Sequence, residues 1–259
     1  MARFFVDELP VEGTIYSLTG ENADHAKVLR LRPGEPVTLC DGAGMDCFCE
    51  VAEGLTLKVG PSLPCPAEPT AKVSVFLAFP KADKAEHVIQ KAVELGAAEL
   101  VLFPSRYCVS RPDGKSLGKK LERWQKIARS AAEQSRRGVI PPVRALDTYA
   151  EALAEAAGAD VPILFYENEE QYSLHEALAE FNVGTSIARP RTSNACPYMQ
   201  NRSLSVSLMT GSEGGFSEEE ITQAREAGLK ICTLGPRILR CETAPLAGLT
   251  AVMYALEEI

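Results

Sequence analysis

The chain has 259 residues, a formal net charge of −8 and 46% hydrophobic residues, which is the composition of an ordinary globular protein. This length predicts one large domain or two unequal domains, each able to bury a core. No apolar run approaches the ~18 residues that a membrane-spanning helix requires, and the first residues lack the pattern of a secretory signal peptide. We therefore expect a cytoplasmic protein without a membrane association.

The eight cysteines do not predict a disulfide framework or a metal site. The only closely spaced pair is Cys47 and Cys49, and no CxxC motif is present. Zinc sites usually combine two close pairs, or one pair with histidines, whereas the three histidines of this chain are far apart. We expect reduced, mostly buried thiols and no metal.

The predicted elements divide the chain near residue 70. Residues 1–70 contain short alternating segments, turn residues and one short helix near 24–31, which predicts a small β-domain. The proline-rich stretch 61–69 is typical of a linker. Residues 71–259 then alternate apolar strands with helices.

This second part is predicted to be an α/β domain. Five near-continuous apolar strands are expected at 73–79, 99–103, 161–166, 204–210 and 230–234. Helices are expected at 81–95, 117–134, 174–181, 218–227 and from about 245. Such strands favour a parallel sheet with helices on both faces. Residues 182–202 show no periodicity and are expected to form a long surface loop.

Positive charge is concentrated in residues 105–137. This segment carries +7, whereas the remainder of the chain carries −15. Such a concentration in an acidic protein resembles the electrostatic footprint of a nucleic-acid binder, and a solvated helix face is the alternative. Trp124, Ile127 and Ala131 form an apolar stripe at helical spacing, so the basic side of this helix must face water or a partner.

A glycine loop follows the strand at 204–210. It reads TGSEGGF over 210–216, and Ser217 with Glu220 then predicts a capping box. A strand, a glycine loop and a helix at the carboxyl edge of a parallel sheet indicate a ligand site, although a simple tight turn is the alternative. The loop lacks the lysine of a P-loop. Three glutamates at 218–220 would repel a pyrophosphate but not a cationic cofactor such as S-adenosyl-L-methionine (SAM).

A second glycine-bearing loop, residues 234–244, follows the next strand. We expect the two loops to lie side by side, because their strands are adjacent in sequence. Arg237, Arg240 and Glu242 add polar groups beside the apolar step Ile238 and Leu239. The alternative is that Arg240 and Glu242 merely pair with each other.

Several motifs occur together in one order along nearly the whole chain. They are residues 1–6, His25 with 28–30, 34–42, Lys81 with 90–96, Arg106, 123–128, 132–135 with Arg137, 211–216 and 234–244. With these motifs the chain resembles the ribosomal RNA small subunit methyltransferase E family of the SPOUT superfamily, whose members use SAM to methylate N3 of a uridine in 16S rRNA.

The resemblance implies a fold and partners that the periodicity does not show. It implies an RNA-binding, PUA-like β-barrel over 1–70 and a SPOUT methyltransferase domain over 71–259. In that domain a C-terminal deep trefoil knot cradles SAM, largely through backbone groups. The implied partners are 16S rRNA or the small ribosomal subunit and a second copy of the chain in a homodimer.

The resemblance also implies site residues. SAM is expected to contact Thr210, Gly211, Glu213, Gly214, Gly215, Leu234, Gly235, Ile238, Leu239 and Thr243. RNA is expected to contact Arg3, Arg30, Arg106, Arg111, Lys119, Arg129 and Gln134, and Arg136, which departs from the family pattern, is expected to add a phosphate contact. Arg240 and Arg137 are the candidates for stabilising a uracil anion, with Glu242 or Glu133 orienting them, and no general base is identified.

Three departures from the family pattern bear on this interpretation. Ser212 replaces the usual proline of the glycine loop, Arg136 replaces a small residue, and the insertion at 182–202 is long. A non-catalytic RNA-binding scaffold of the same fold is therefore the alternative function. A Rossmann-type enzyme is set aside, because residues 79–83 (FPKAD) stand where its glycine fingerprint would be.

Overall fold

The computed structural model describes residues 2–81, 83–112, 114–180 and 203–259. It divides the chain into two compact units. The first comprises the chain up to Glu68 together with Arg129–Ile140, and the second comprises Pro69–Ala128 and Pro141–Ile259. The sequence did not predict that 129–140 would join the first unit.

The first unit is built on a five-stranded sheet. Its elements are β1 (Ala2–Phe5), β2 (Ile15–Ser17), α1 (Gly20–Val28), β3 (Pro36–Cys40), β4 (Met45–Val51) and β5 (Thr56–Pro64). The strand order is β1-β3-β4-β5-β2, and only the β1–β3 pair is parallel. Phe4, Leu39 and Leu57 are fully buried in its core. Helix α1 begins and ends earlier than predicted.

Strand β5 extends into the predicted linker. It pairs with β4 as far as Pro64, whereas its pairing with β2 covers only Thr56–Lys58. Pro61 and Pro64 therefore lie where β5 has a single neighbour, and a proline is tolerated there because its missing N–H is not needed on the open side. The prediction of a linker over 61–64 was wrong.

The second unit is an α/β domain, as predicted. Its elements are β6 (Lys72–Ala78), α2 (Lys84–Glu94), β7 (Glu99–Phe103), α3 (Gly114–Gln134), β8 (Val143–Ala145), α4 (Tyr149–Ala157), β9 (Val161–Phe165), α5 (Leu174–Glu180), β10 (Ser205–Thr210), α6 (Glu218–Glu226), β11 (Lys230–Cys232) and α7 (Ala244–Ala255). The sheet has the order β11-β9-β10-β6-β7-β8, and every neighbouring pair is parallel. Helix α3 continues from this unit into the segment of the first unit that begins at Arg129.

Two elements of the second unit were missed from the sequence. Strand β8 has only three residues, too few for an alternation to be visible. Helix α4 begins at a capping box between Thr148 and Glu151, a signal that the sequence does carry. The predicted loop at 182–202 lies outside the described residues.

The cysteines and helices of the described residues give three further findings. All seven described cysteines are free and buried. Among the residues that the structure describes, no group of three or more metal-ligating side chains comes together. In the same part of the chain, no helix has both the length and the apolar character needed to cross a membrane.

Candidate functional site

The carboxyl ends of three neighbouring strands form the main cavity of the second unit. Strand β9 pairs with β10 on one side and with β11 on the other. The β10 and β11 loops were expected to lie side by side; β9 lies between their strands in the sheet, and both loops line the same cavity. The three loops, together with Lys84, enclose a cavity of about 730 Å³. This is the edge where open parallel sheets bind ligands.

The glycine loop after β10 is held in a tight turn. Gly215 donates its backbone N–H to the carbonyl of Ser212 (3.0 Å) and adopts φ +64°. A side chain on Gly211 would meet the backbone of Gly215. The Ser212 hydroxyl, at the position of the family's proline, is buried and has no hydrogen-bond partner among the described residues. The loop therefore presents backbone to the cavity and leaves one buried polar atom unsatisfied.

The helix that follows this loop begins with the predicted capping box. The Ser217 hydroxyl accepts from the Glu220 backbone N–H, and a Glu220 carboxylate oxygen accepts from the Ser217 backbone N–H (2.8 Å). The Tyr166 hydroxyl donates to Glu218 (2.7 Å), and Arg106 pairs with Glu219. All three glutamates of the first turn therefore have protein partners, which explains how this acidic helix start is tolerated.

Lys84, the first residue of α2, joins the two predicted cofactor loops. Its ammonium group lies 3.0 Å from Oε1 of Glu213 in the first loop and 3.0 Å from Oε2 of Glu242 in the second. Glu213 also accepts the backbone N–H of Lys81 (3.0 Å). The hydrogen bond from Lys84 lowers the pKa of Glu242 to about 2, and its bonds to Glu242 and Glu213 raise the pKa of Lys84. Glu242 is therefore ionised at neutral pH and binds the Lys84 ammonium group.

The Cys241 thiol also lies at this cluster. The Lys84 ammonium is 3.6 Å from its sulfur. Burial, and then the hydrogen bond to Glu242, raises the pKa of the thiol to about 12. Cys241 is therefore protonated at neutral pH and is not a nucleophile.

The loop after β9 supplies an acidic wall that sequence reasoning missed. Glu167, Glu169 and Glu170 line the cavity. Glu167 lies directly over the glycine loop, because a Cβ on Gly215 would collide with its carboxylate. The signal was present, since three glutamates follow a buried strand within five residues. The wall favours a ligand that carries positive charge.

Most of the predicted cofactor residues line this cavity, and their contacts with SAM stay a prediction. Those that do are Thr210, Gly211, Glu213, Gly215, Leu234, Gly235, Ile238 and Leu239. Gly214 does not: a Cβ there would meet the side chain of Tyr107 instead. Thr243, the N-cap residue of α7, is not among the residues that line the cavity either.

Of the three predicted catalytic residues, Arg240 and Glu242 belong to the second unit and Arg137 belongs to the first. Arg240 lines the cavity, and 83% of its side chain is exposed. It lies 4.0 Å from Glu242, which is held more closely by Lys84. Glu242 therefore contacts two cations, Lys84 through Oε2 and Arg240 through Oε1, and its role in orienting Arg240 stays a prediction.

Arg137 belongs to the first unit. Its residue is 4% exposed, and its Nη2 lies 2.8 Å from Oε2 of Glu68. Glu68 also accepts the backbone N–H groups of Gly138 (2.8 Å) and Val139 (3.0 Å). The contacts of Arg137 fix the segment 129–140 on its unit, which indicates a structural role instead of the predicted catalytic one.

Among the predicted RNA-binding residues, Arg3 is not available to a phosphate. Its side chain is 8% exposed and forms two hydrogen bonds with Asp46 (2.6 and 2.7 Å), which is also buried. A guanidinium whose two terminal nitrogens both bond to a buried carboxylate has a structural role. The structure therefore does not support the prediction for Arg3.

The other predicted RNA contacts are at least partly exposed. Arg106 pairs with Glu219, and Arg111 donates to the carbonyls of Ser105 and Arg106 (2.9 and 3.1 Å). Arg129 pairs with Glu133 (3.2 Å) and lies over the Phe5 ring. Glu133, the other predicted orienting residue, is thus a partner of Arg129. Arg30, Lys119, Gln134 and Arg136 are exposed, and their contacts with RNA stay a prediction.

Comparison with protein families gives two matches in chain order. An RNA methyltransferase PUA domain matches residues 18–59. An RNA methyltransferase domain matches residues 66–253, which includes every residue that lines the cavity. The two matches follow the order that the sequence predicts.

Individual relatives match the chain almost end to end. The ribosomal RNA small subunit methyltransferase E of Bacillus subtilis is 33% identical over 99% of this chain and 98% of its own length. That of Mycobacterium bovis is 34% identical over 96% of this chain and 90% of its own. A crystal structure of a ribosomal RNA small subunit methyltransferase E from Neisseria gonorrhoeae, bound to S-adenosyl methionine, is 30% identical, has a TM-score of 0.78 and covers 98% of this chain. The match also covers 97% of the chain in that structure.

Proposed function

Because the chain belongs to the ribosomal RNA small subunit methyltransferase E family, we propose that it transfers a methyl group from SAM to N3 of a uridine in 16S rRNA. The observation that carries this proposal is the cavity at the ends of β9, β10 and β11. Its two glycine-bearing loops, acidic wall and exposed arginine suit a cationic cofactor beside an RNA base.

The residues of the cavity fit SAM. The backbones of the loops after β10 and β11 and the buried Ser212 hydroxyl offer hydrogen-bonding groups, and Glu167 and Glu170 complement positive charge. When bound, SAM supplies an electrophilic methyl group that needs no metal for its transfer. Lys84 keeps the two loops together, so the protein contributes mainly position and exclusion of water.

On the RNA side, Arg240 is the residue proposed to act on the base. The N3 proton of uracil must leave, and base pairing hides this position, so the target uridine must be unpaired or flipped out. A cation beside the ring stabilises the uracil anion and thereby favours deprotonation. Glu242 is not a suitable base, because its bond with Lys84 lowers its pKa to about 2 and makes the carboxylate a weak proton acceptor.

Family membership supports three finer proposals. The segments around β10 and β11 form the deep trefoil knot, two copies of the chain assemble as a homodimer, and the protein works in the cytoplasm, where its rRNA substrate is made. The first unit, matched in part by the PUA model, contributes to RNA binding. Size-exclusion chromatography with light scattering tests the dimer.

The enzyme is tested with radiolabelled SAM, and with both free 16S rRNA and assembled small subunits that lack the modification. Methylation of one uridine is expected. Because an N3 methyl group blocks the Watson–Crick edge, reverse transcription should stop at the modified base. The two substrates distinguish action on free rRNA from action on the subunit.

The alternative function is a non-catalytic RNA-binding scaffold, which Ser212 in place of the usual proline keeps open. Calorimetric titration with SAM separates the two. Saturable binding supports the enzyme, whereas RNA binding by a folded protein that does not bind SAM supports the scaffold.

A further inference from the structure

A second depression, of about 640 Å³, lies between the start of α2 and the first half of α3. We call it the α2–α3 groove. Lys115, Lys119 and Lys120 of α3 line it, together with Asp83 and Glu86 of the α2 start. Asp83 borders this groove and the next residue, Lys84, borders the main cavity. Both depressions therefore lie at the same end of α2.

The charge balance of the groove favours an anion. Arg123 also lines it but pairs with Glu86 (2.7 Å), so these two charges compensate each other. Three lysines then face one remaining carboxylate, that of Asp83. Within residues 2–81, 83–112, 114–180 and 203–259, none of the three lysine ammonium groups forms an ion pair. The surplus positive charge is therefore open to a partner.

The same lysines are placed where they do not help the helix. Lys115 lies in the first turn of α3, where the positive end of the helix dipole disfavours a cation. Lys119 follows it by four residues, so the two like charges are neighbours on the helix surface. An arrangement that costs the helix stability is understandable if its positive charge serves binding.

Among the described residues that line the groove, none offers an open aromatic face for stacking. Trp124 lines it but is only 4% exposed, and the Lys120 ammonium lies 5.9 Å from the ring centroid. An unpaired base that is recognised by stacking needs an open ring. Ammonium groups without such a ring suit the phosphate backbone, which carries the charge but not the sequence.

We propose that the α2–α3 groove binds the phosphodiester backbone of the rRNA substrate beside the methylation cavity. This inference rests on the proposed function and deepens it, because it assigns the path of the RNA on the second unit. Lys115 and Lys120, which the sequence placed only in the basic segment 105–137, become RNA contacts, and Lys119, already predicted to contact RNA, is assigned to this groove.

The test compares the wild type with the triple variant Lys115→Ala/Lys119→Ala/Lys120→Ala. The apparent KM for RNA should rise about tenfold or more. The negative slope of log affinity against log salt should become shallower by about 2, since each phosphate contact to a single strand contributes about 0.7 to its magnitude. The SAM dissociation constant and kcat at saturating RNA should not change. Thermal stability should change little, because the variant removes both like-charge contacts and the contact of Lys120 with the Trp124 ring.

Two control variants sharpen the test. Lys126→Ala removes an exposed lysine of the same helix that does not line the groove, so it should leave the KM for RNA near the wild-type value. The triple Lys→Arg variant keeps the charge and should retain the wild-type salt slope. A triple Ala variant with unchanged KM and salt slope would overturn the groove assignment.

RNA affinity is also measured directly by filter binding, which requires no methyl transfer. If the wild type binds RNA but does not methylate it, the proposed function fails, while the triple Ala variant still tests the groove. Equal RNA affinity and equal salt slopes of the wild type and this variant in filter binding would reject the groove whether or not the protein is an enzyme.

Discussion

The ammonium group of Lys84 lies 3.0 Å from Oε2 of Glu242, and this ion pair joins the start of α2 to the loop before α7. Because Lys84 also pairs with Glu213, one side chain connects both loops that are proposed to hold SAM. These ion pairs connect segments that are far apart in sequence, and they lead to the first two predictions.

Lys84→Met should weaken SAM binding about tenfold, since removal of the shared cation lets the two loops move apart. Calorimetry measures the dissociation constant. Lys91→Met is the matched control, because Lys91 lies on the same helix and pairs with Glu94 (2.8 Å) away from the loops. Equal SAM affinity in both variants would show that Lys84 does not position the loops.

The Lys84–Glu242 pair should also make stability depend on pH at the acid end. The pKa of Glu242 is lowered from 4.5 to about 2, so its contribution is fully present above about pH 4.5 and is lost as the pH falls toward 2. The difference in unfolding free energy between wild type and Glu242→Gln should be constant near neutral pH and should shrink below about pH 4.5. Denaturant titration at several pH values measures it, and a pH-independent difference would contradict the ion pair.

Gly215→Ala should weaken SAM binding about tenfold, because the new methyl group displaces the Glu167 carboxylate from the cavity wall. Gly215 has φ +64°, and a Cβ there would also collide with the Glu167 carboxylate at the cavity. Gly228→Ala is the control, because Gly228 has φ +90° but open space around it. Both variants should lose about 1–2 kcal/mol of stability from the left-handed backbone, so a loss of SAM affinity confined to Gly215→Ala reports on the cavity.

Arg137→Met should lower the free energy of unfolding and have little effect on kcat. Removing one partner of a buried ion pair leaves the Glu68 carboxylate poorly compensated, at a cost of about 3–5 kcal/mol. Lys58→Met, which removes an exposed pair with Glu50 in the same unit, should cost less than about 1 kcal/mol. Chemical denaturation measures both. A large fall in kcat without a loss of stability would restore the catalytic role predicted from the sequence.

Arg240→Met should lower kcat about 100-fold while leaving the SAM dissociation constant nearly unchanged, because the exposed guanidinium is proposed to stabilise charge on the base. The deficit should narrow as the pH rises, since hydroxide then takes over part of the deprotonation. Single-turnover rates across pH check this. A uniform deficit at all pH values would assign Arg240 to RNA binding alone.

The sequence predicted the parallel α/β domain because strands buried on both faces are apolar throughout, and β7 has the predicted bounds. It also located the glycine loop, whose capping box at Ser217 and Glu220 is a local signal. It missed β8, which is too short, and it did not use the Thr148–Glu151 box of α4.

The site was predictable only where its signals are local. Glycine positions and strand ends are visible in a few neighbouring residues, so most of the predicted cofactor residues do line the cavity. Lys84 was missed because its two carboxylate partners are brought to it by strand order. Arg3 was misassigned because the sequence shows its charge but does not show that it forms a buried ion pair with Asp46.

The sequence by itself therefore determined the family, the class of fold and the chemistry of the loops, since these depend on residue type, period and motif order. The tertiary structure decided which charges are used inside the protein and which remain for a partner. That β9 lies between β10 and β11, that Lys84 joins two loops, and that Lys115, Lys119 and Lys120 share a groove all depend on strand order and helix packing. Such contacts join segments far apart in the chain, and no local pattern specifies them.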